Sequence, residues 1–418
     1  MWNTRIHPDT PGVPSILRAP GAKGEILRPG TYRRGMDQPL VSRMRPYGET
    51  IFARMTALAT AHDAVNLGQG FPDTDGPAEV LEAAREAISD GHNQYPPGPG
   101  IPSLREAVAS HQQERYGLGV DPDGEVLVTT GATEAIASAL LALVEPGDEV
   151  VVIEPYYDSY AAGISLAGGI RRAVPLRRDL TLDREALTAA FSERTRAVLV
   201  NTPHNPTGRV LTREELGLVA DLARRHDAWV ISDEVYEHMT FDGAGHVPIA
   251  TLPGMWERTV TIGSAGKSFS VTGWKVGWVS GPRELVTAVR TVKQFLTYTS
   301  GAPFQPAVAR ALSMGPAPLE ELTASLQSRR DLLVEGLLGA GLDVSVPEGT
   351  YFVVADAAPL GVTDATSWCL ELPERVGVVA VPVSVFCDDP SRTASLVRFA
   401  FCKREPVLEE ACRRLARL

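Results

Sequence analysis

Cysteine is scarce in this chain: only Cys369, Cys387, Cys402 and Cys412 occur among 418 residues, and all lie in the last quarter. No two of them form a CxxC pair, and no pattern of histidine ligands lies beside them. A disulfide scaffold and a cysteine-based metal site are therefore disfavoured. Because free thiols fit a reducing compartment, we predict a cytoplasmic protein without a bound metal.

Long apolar runs are also missing, as is any excess of basic residues. No stretch reaches the length of a transmembrane helix, and the N-terminus lacks the apolar segment of a secretory signal. The net charge of -11 disfavours non-specific binding to nucleic acid or to anionic membranes. Residues 1–38 are rich in proline and glycine without periodicity, which predicts a flexible N-terminal arm.

The length of the chain predicts two domains. In its middle, short apolar segments alternate with helical ones, which indicates an α/β fold with a mostly parallel sheet covered on both faces. From about residue 325 a long helix leads into further strand-like segments, which predicts a smaller α+β domain. Ser103, with Glu106 at the capping-box position, is predicted to cap a helix. The candidate strands of the large sheet are 125–130, 148–155, 196–203, 228–234 and 258–264.

Polar residues directly follow several of these strands. Because ligands bind outside the carboxyl ends of strands in open α/β sheets, we expect these residues to converge on one edge. Each has a simpler interpretation when taken alone: an ordinary turn, a helix-capping aspartate or a surface lysine. The residues concerned are Gly131, Ala132, Thr133, Asn205, Asp233, Ser264 and Lys267.

The segment around Lys267 resembles the end of a nucleotide-binding P-loop. A P-loop requires glycine five residues before Gly266, where this chain has Thr261, so that interpretation is disfavoured. Small residues flank Lys267, and an amine partly buried beside another cation has a lowered pKa and becomes a nucleophile. The glycine-rich turn 131–133, at the start of a predicted helix, is a candidate phosphate site.

These features together match one cofactor. Pyridoxal phosphate requires a phosphate site, a carboxylate for its ring nitrogen and a lysine for covalent attachment. Asp233 supplies the carboxylate, Lys267 the amine, and Tyr236 lies three residues after Asp233. We therefore predict pyridoxal 5'-phosphate as the cofactor.

Six motifs carry a resemblance to a known family: NLGQGFPD, NQYPPGPG, NTPHNPTG, SDEVYEH, GSAGKSFSVTGWKVGW and VRFAFCK. Residues 38–418 resemble the class I, fold-type I aminotransferases that use pyridoxal phosphate. Within them the chain is similar to the kynurenine/glutamine transaminase branch and to actinobacterial N-succinyldiaminopimelate aminotransferases. The resemblance implies a seven-stranded, mostly parallel sheet in a large domain of residues 78–324, and a small α+β domain from residues 39–77 and 325–418. It also implies a homodimer with a shared active site.

The resemblance further implies a role for each candidate residue around the cofactor. Lys267 would be the Schiff-base lysine and would move the proton at the substrate Cα. Asp233 would pair with the ring nitrogen. The other cofactor-binding residues would be Tyr236 and Asn205 at the ring oxygen, Tyr157 stacked on the ring, and Ala132, Thr133, Ser264, Lys275 and the partner subunit's Tyr95 at the phosphate.

The implied substrate-binding residues are equally specific. Arg398 would clamp the substrate α-carboxylate, because a planar guanidinium suits a carboxylate bidentately. The N–H of Gly70 and the side chain of Asn205 would assist it. Phe52 and, from the partner subunit, Tyr298 would line the side-chain pocket.

Three departures from the family pattern bear on substrate choice. Lys275 stands where many relatives have arginine, which keeps the charge but loses bidentate geometry. Thr133 stands where the kynurenine branch tends to have an aromatic residue. No arginine occupies the family's distal-carboxylate position. Kynurenine and aspartate are therefore disfavoured as preferred substrates.

The predicted reaction is a ping-pong transfer of an amino group from an L-amino acid to a 2-oxo acid, with 2-oxoglutarate as the acceptor. The donor is N-succinyl-diaminopimelate or a bulky neutral amino acid such as glutamine, methionine or an aromatic one. A pyridoxal-phosphate-dependent cysteine-conjugate β-lyase is the alternative. A non-catalytic regulatory protein is disfavoured, since no DNA-binding domain is appended.

Overall fold

The structure is a computed structural model that describes residues 39–48 and 50–418. The arm predicted for residues 1–38 lies outside the described residues, whereas Ser42–Leu418 form one compact unit. The strands are β1 Val65–Asn66, β2 Val126–Thr129, β3 Glu149–Glu154, β4 Ile170–Pro175, β5 Thr195–Asn201, β6 Trp229–Asp233, β7 Thr259–Ser264, β8 Gly277–Ser280, β9 Asp343–Ser345, β10 Phe352–Asp356, β11 Val378–Val379, β12 Val381–Pro382 and β13 Leu396–Ala400. The α-helices are α1 Ile51–Ala61, α2 Ala78–Ser89, α3 Pro102–Tyr116, α4 Gly131–Leu143, α5 Asp158–Ala167, α6 Arg184–Ala190, α7 Arg213–Arg225, α8 Ala265–Ser268, α9 Arg283–Leu296, α10 Phe304–Leu312, α11 Ala317–Gly339, α12 Ala365–Val376 and α13 Glu405–Leu415.

A seven-stranded sheet in the order β2-β8-β7-β6-β5-β3-β4 organises the larger part of the chain. All pairings from β7 to β4 are parallel, and β8 runs antiparallel to both β7 and β2. The predicted α/β fold with a mostly parallel, seven-stranded sheet is confirmed. Two of its strands gave no clear signal in the sequence. Strand β4, at the sheet edge, has the adjacent residues Arg171 and Arg172 among apolar ones, and β8 has four residues and begins with glycine.

The inner strands are apolar along most of their length because helices cover both faces of the sheet. In β3, Val150 and Val152 belong to a core formed with α4, α5 and α9, whereas Val151 and Ile153 belong to a core formed with α6 and α7. Successive side chains of a strand point to opposite faces, so one strand feeds both cores. With both faces covered, the strand ends are the place where a ligand can reach the sheet.

A four-stranded antiparallel sheet, β12-β13-β10-β9, forms from residues after 342. Helices α11, α12 and α13 pack around it and share one buried core with it. Strands β1 and β11 pair in parallel, which joins the segment before residue 77 to the C-terminal segment. These are the two segments assigned above to the small domain, and the domain boundaries themselves stay a prediction.

Two expectations about helix starts were wrong. Helix α3 begins at Pro102 with Ile101 at the N-cap position, and no side chain caps it, so Ser103 lies inside the helix. Proline at the first helical position has no N–H to satisfy and has its φ preset, which moves the N-cap two residues earlier, from Ser103 to Ile101. The long helix predicted from about residue 325 is α11, and it begins earlier, at Ala317.

The strand registers bring several chain segments to one level of the sheet. Asn201 at the end of β5 pairs with Asp233 at the end of β6. Ser264 at the end of β7 pairs with Gly277, which also pairs with Thr129 at the end of β2. The ends of these strands therefore meet along one edge.

The described part of the chain contains no disulfide. All four cysteines are unpaired, and Cys369 and Cys402 are buried. Desolvation raises the pKa of the Cys402 thiol to about 11, so it stays protonated and behaves as a small apolar side chain. No helix in the described part of the chain is long and apolar enough to span a membrane.

Gly277 is expected to tolerate no side chain, because β8 packs directly on the start of α4. A Cβ at Gly277 would lie 2.8 Å from the carbonyl carbon of Gly131 and 2.9 Å from the nitrogen of Ala132, both backbone atoms. We expect Gly277→Ala to lower the free energy of unfolding by about 1–3 kcal/mol through overpacking, measured by urea denaturation.

The matched control is Gly217→Ala on α7, where an added Cβ meets nothing within 4 Å. This change should raise the free energy of unfolding by about 0.5–1 kcal/mol, because alanine favours a helix over glycine. Equal effects of the two substitutions would contradict the proposed close contact at Gly277.

Candidate active site

One cavity of about 440 Å³ opens at the carboxyl ends of the parallel strands. Its volume lies in the usual range of small-molecule sites. All but two of the site residues named from the sequence line it: Phe52, Gly70, Ala132, Thr133, Tyr157, Asn205, Asp233, Tyr236, Ser264, Lys267, Lys275 and Arg398. The two exceptions are Tyr95 and Tyr298.

Lys267 lies on the short helix α8, directly after β7, and lines the cavity. Its Nζ donates a hydrogen bond to the hydroxyl of Tyr351 at 2.7 Å and lies 5.5 Å from the ring centroid of Tyr236. Desolvation lowers the pKa of Lys267 to about 8, although Asp233 acts in the opposite direction. A substantial fraction of this amine is therefore neutral near physiological pH and available as a nucleophile.

Asp233 closes strand β6 and is only 4% exposed. The hydroxyl of Tyr160 donates to its Oδ2 at 2.5 Å, and the N–H of Val235 donates to Oδ1 at 3.4 Å. Among the described residues no lysine or arginine forms an ion pair with this carboxylate, and desolvation raises its pKa to about 6. The site thus holds a buried carboxylate that lacks a cationic partner. A positively charged N–H group of a ligand can supply that partner.

The start of helix α4 faces the cavity, and no capping side chain among the described residues accepts a hydrogen bond from its first backbone N–H groups. Thr130 precedes the helix and makes no side-chain capping bond. Lys275 has a left-handed backbone, with φ of 54°, and a Cβ built on Gly131 would lie 3.4 Å from its Nζ. A lysine held in that strained conformation beside a helix N-terminus and Ser264 forms a site for an anion such as phosphate.

Arg398 is a guanidinium buried in an aromatic environment. Arg398 is 1% exposed, and its guanidinium carbon, Cζ, lies 4.0 Å from the ring centroid of Phe352. Nη1 donates to Oδ1 of Asn205 and Nη2 to the carbonyl of Gly68, each at 3.0 Å, while Nε has no partner among the described residues. Desolvation lowers its pKa to about 10. A buried guanidinium without an ion-pair partner in the described chain is suited to bind a ligand carboxylate.

Two tyrosines of the cavity keep their hydroxyl protons. Desolvation raises the pKa of Tyr157 to about 12 and raises the pKa of Tyr236 further. Tyr157 packs edge-to-face on Tyr160, and Tyr236 packs edge-to-face on Tyr351 at 5.3 Å. Both can therefore act as hydrogen-bond donors in fixed positions.

Tyr95 and Tyr298 lie outside the cavity and on the surface. They are 82% and 54% exposed, and their rings contact each other edge-to-face at 5.4 Å. Phe295 and Leu296, which precede Tyr298 in the chain, are also exposed. A large apolar patch on a protein surface is typical of a protein contact site.

Several residues of the site were not identified from the sequence. Asn201 ends a buried strand, so the rule that selected Asp233 could have found it; its Nδ2 donates to the Asp233 carbonyl at 2.9 Å. Tyr160, Tyr351 and Phe352 carry no comparable local signal. Their contacts with the site arise only when distant parts of the chain pack together.

A buried cluster of histidine and glutamate braces α8 against the segment after β6. The Nδ1 of His238 lies 2.8 Å from the hydroxyl of Ser268, and Glu237 accepts hydrogen bonds from Tyr116 and His111. Although burial opposes ionisation, the neighbouring histidines hold the pKa of Glu237 well below its usual range. Ligand atoms of His111, Glu237 and His238 lie within 4.8 Å of one another, a spacing compatible with a metal ion, so the absence of a metal stays a prediction.

A partly buried lysine and a buried aspartate at the strand ends of the α/β sheet face a buried arginine from the antiparallel sheet, and none of the three forms an ion pair with a described residue. Together they define a site for amino-group chemistry. Residues 62–415 match the family model described as aminotransferase class I and II. The chain belongs to this family, and it is an aminotransferase.

Its relatives include aminotransferases with different named substrates. A Mycobacterium tuberculosis protein, "Probable N-succinyldiaminopimelate aminotransferase DapC", is 54% identical over 90% of this chain and 98% of its own. Methionine aminotransferase of Escherichia coli is 40% identical over 91% and 100%, and kynurenine–oxoglutarate transaminase 3 of Mus musculus is 40% identical over 88% of each chain. The solved structure of the M. tuberculosis N-succinyldiaminopimelate aminotransferase matches with a TM-score of 0.89 and covers 90% of this chain and 99% of that one.

The buried Asp233 is expected to reduce stability in protein stripped of small-molecule ligands. Its pKa rises from 3.8 to about 6 on folding, so the native state binds a proton more tightly than the unfolded state. The stability penalty is absent below pH 4, grows between pH 4 and pH 6, and reaches about 3 kcal/mol above pH 6.

Asp233→Asn should remove this penalty, so its advantage in free energy of unfolding over the wild type should be larger at pH 8 than at pH 5. Urea denaturation at both pH values measures the difference. A difference between variant and wild type that does not change with pH would show that Asp233 ionises without cost.

Proposed function

We propose that this aminotransferase uses pyridoxal 5'-phosphate, held as a Schiff base by Lys267, and moves amino groups from an L-amino acid to 2-oxoglutarate by a ping-pong mechanism. The charge of the cavity carries the proposal. Lys267, Lys275 and Arg398 line it together with a single carboxylate, Asp233, and the structure records no ion pair for any of them among the described residues. This excess positive charge matches a phosphate and a substrate carboxylate.

The donors and acceptors fit the cofactor group by group. The N-terminus of α4, with Ala132, Thr133, Ser264 and Lys275, would hold the phosphate. Asp233 would accept from the ring nitrogen, which supplies the positive charge that the buried carboxylate lacks. Hydrogen bonds from Tyr236 and Asn205 to the ring oxygen and stacking by Tyr157 would fix the ring plane.

The chemistry divides between the cofactor and the chain. When bound, the cofactor supplies a ring that stabilises negative charge at the substrate Cα. Asp233, as an anion, favours protonation of the ring nitrogen. Lys267 acts as the acid–base group that takes the Cα proton and returns it, and a pKa near 8 lets it do both close to neutral pH.

Arg398 would orient the substrate. Its Nε is directed to no other described group, and its two Nη atoms are fixed by Asn205 and Gly68. A carboxylate bound by this rigid fork places the attached Cα at a defined distance from the cavity lysine. The N–H of Gly70, on the same loop as Gly68, would assist.

The remaining walls bear on the donor. Phe52, Phe71, Phe352 and Ile136 line the cavity, and its described residues include no arginine besides Arg398. These apolar walls support bulky neutral donors such as methionine, glutamine or an aromatic amino acid. The 54% identity to the M. tuberculosis protein supports N-succinyl-diaminopimelate. The three relatives named above are all aminotransferases, and nothing in the site favours the β-lyase alternative.

We further propose a cytoplasmic homodimer in which Tyr95 and Tyr298 complete the partner subunit's site. Both are exposed, outside the cavity and part of an aromatic surface patch. We also propose the division into a large domain, residues 78–324, and a small domain, residues 39–77 and 325–418. The sheets of the two proposed domains share no strand.

A panel of amino donors tests the proposed reaction. Incubation with 2-oxoglutarate and N-succinyl-diaminopimelate, methionine, glutamine or phenylalanine should form glutamate with at least one donor. Lys267→Ala should lower the rate by about 10⁴-fold or more, because proton transfer and covalent attachment are both lost. Mass spectrometry after borohydride reduction should show the cofactor on the wild type and not on this variant.

Lys275→Ala serves as the control, since it should weaken cofactor affinity and still show the covalent adduct. Release of pyruvate and ammonia from a cysteine conjugate, without glutamate formation from any donor, would favour the β-lyase. A protein that binds no cofactor would overturn the proposal.

The shared site can be tested by mixing two inactive variants. Tyr95→Ala and Lys267→Ala homodimers should each be poorly active. In the mixed dimer, one site would have its own Lys267 and Tyr95 of the partner subunit, so activity should return to up to about half of the wild-type value per dimer. Recovery should follow subunit exchange. No recovery despite exchange would place Tyr95 in the site of its own chain.

A further inference from the structure

The partner of the Lys267 amine belongs to a part of the chain distant in sequence. Tyr351 precedes β10 and is fully buried. Its hydroxyl accepts from Lys267 Nζ at 2.7 Å and donates to the carbonyl of Gly70 at 2.6 Å. Tyr351 therefore lies behind the wall of the cavity and connects its amine to the loop that carries Gly70.

The direction of these hydrogen bonds is chemically determined. A phenol has one proton to donate, and in Tyr351 that proton is committed to the Gly70 carbonyl. Towards Lys267 the hydroxyl can therefore only accept. Both the neutral amine and the ammonium have an N–H to donate, so the contact is compatible with either protonation state. In the neutral amine the lone pair stays free to receive a proton.

The hydroxyl of Tyr351 is held rigidly. The main-chain carbonyl of Tyr351 accepts a hydrogen bond from the N–H of Phe401, and the Tyr351 ring packs edge-to-face on Tyr236 and Phe352. Desolvation raises the pKa of Tyr351 well above its ordinary value, so the phenol remains neutral. A neutral acceptor in a fixed position defines where the lysine amine lies when it is not covalently attached.

Gly70 is equally constrained. A Cβ on Gly70 would lie 2.4 Å from Cζ of Phe352, so only glycine brings this loop close enough for its carbonyl to reach Tyr351. Lys267, Tyr351 and the carbonyl of Gly70 are thus joined by two consecutive hydrogen bonds.

We propose that Tyr351 is a positioning residue that holds the free Lys267 amine in the orientation needed for proton transfer at the substrate Cα. This role rests on the proposed aminotransferase mechanism. Tyr351 is not among the described residues that line the cavity, and it reaches the reaction through its hydrogen bond to Lys267 Nζ. It acts by giving the released lysine one fixed acceptor, so that its lone pair points in one direction when it takes the proton.

A purely structural role predicts a different result. A tyrosine that only tethers the Gly70 loop would change stability or the KM of the amino donor when its hydroxyl is removed. A tyrosine that positions the amine would change kcat, and it would make proton transfer more rate-limiting. The deuterium isotope effect at Cα separates these cases, because it reports only the proton-transfer step.

Tyr351→Phe holoenzyme, assayed with L-glutamate and L-methionine that carry hydrogen or deuterium at Cα, tests the inference. We expect the covalent cofactor adduct to persist, kcat to fall about 10- to 100-fold, KM to change less than about 3-fold, and the isotope effect to rise. Tyr47→Phe is the matched control, since its hydroxyl also donates to a main-chain carbonyl, that of Ala161 at 2.8 Å, outside the cavity. It should leave kcat and the isotope effect unchanged.

A kcat within about 2-fold of the wild type, or a change confined to KM or to the urea midpoint, overturns the positioning role. If Tyr351→Phe fails to fold, 3-fluorotyrosine at position 351 is the second variant, because it keeps the hydroxyl and weakens it as a hydrogen-bond acceptor. We then expect kcat to fall by a smaller factor and the isotope effect to rise. Unchanged values of both overturn the inference. A wild-type protein without transaminase activity would instead refute the proposed function, and the role of Tyr351 with it.

Discussion

Desolvation of unbalanced charge in one cavity is the constraint on which the site depends. Asp233 and Arg398 are buried and Lys267 is partly buried, and none of them forms an ion pair with a described residue. Each pKa moves towards the neutral form: to about 8 for Lys267, about 6 for Asp233 and about 10 for Arg398. Burying such groups lowers stability unless a ligand completes their interactions. A ligand that does so binds the folded state alone, and its binding energy then stabilises the fold. The same burial that makes the lysine nucleophilic therefore also makes the chain dependent on its ligands.

The parallel sheet makes this arrangement possible. Its two covered faces leave the strand ends as the place where polar groups can meet, and the register of β5, β6, β7, β8 and β2 brings their ends to one level. The antiparallel strand β8 has a particular part in this, since Gly277 lets it contact the start of α4. The antiparallel sheet of the C-terminal segment then adds Arg398 and Tyr351 from the other side.

The sequence predicted the elements whose signals are local. Apolar runs identified five strands of the large sheet, and the position after a strand singled out Asp233, Asn205, Ser264 and Lys267, all of which line the cavity. Predictions were wrong or missing where the local signal is weak or ambiguous. Pro102 starts α3 one residue before the expected cap, and in the edge strand β4 two adjacent arginines interrupt the apolar run. The domain boundaries and the roles of the site residues stay predictions.

The sequence by itself determined the α/β class, the family and the set of side chains that the strand ends present, because periodicity and strand-end position are properties of short segments. Only the tertiary structure decided how those side chains are partnered. Three contacts join the C-terminal segment to distant parts of the chain: Tyr351 to Lys267, 84 residues apart, Tyr351 to Gly70, 281 apart, and Arg398 to Asn205, 193 apart. No local pattern encodes such contacts, since each depends on the position of segments that are remote in the chain and adjacent only in the folded protein.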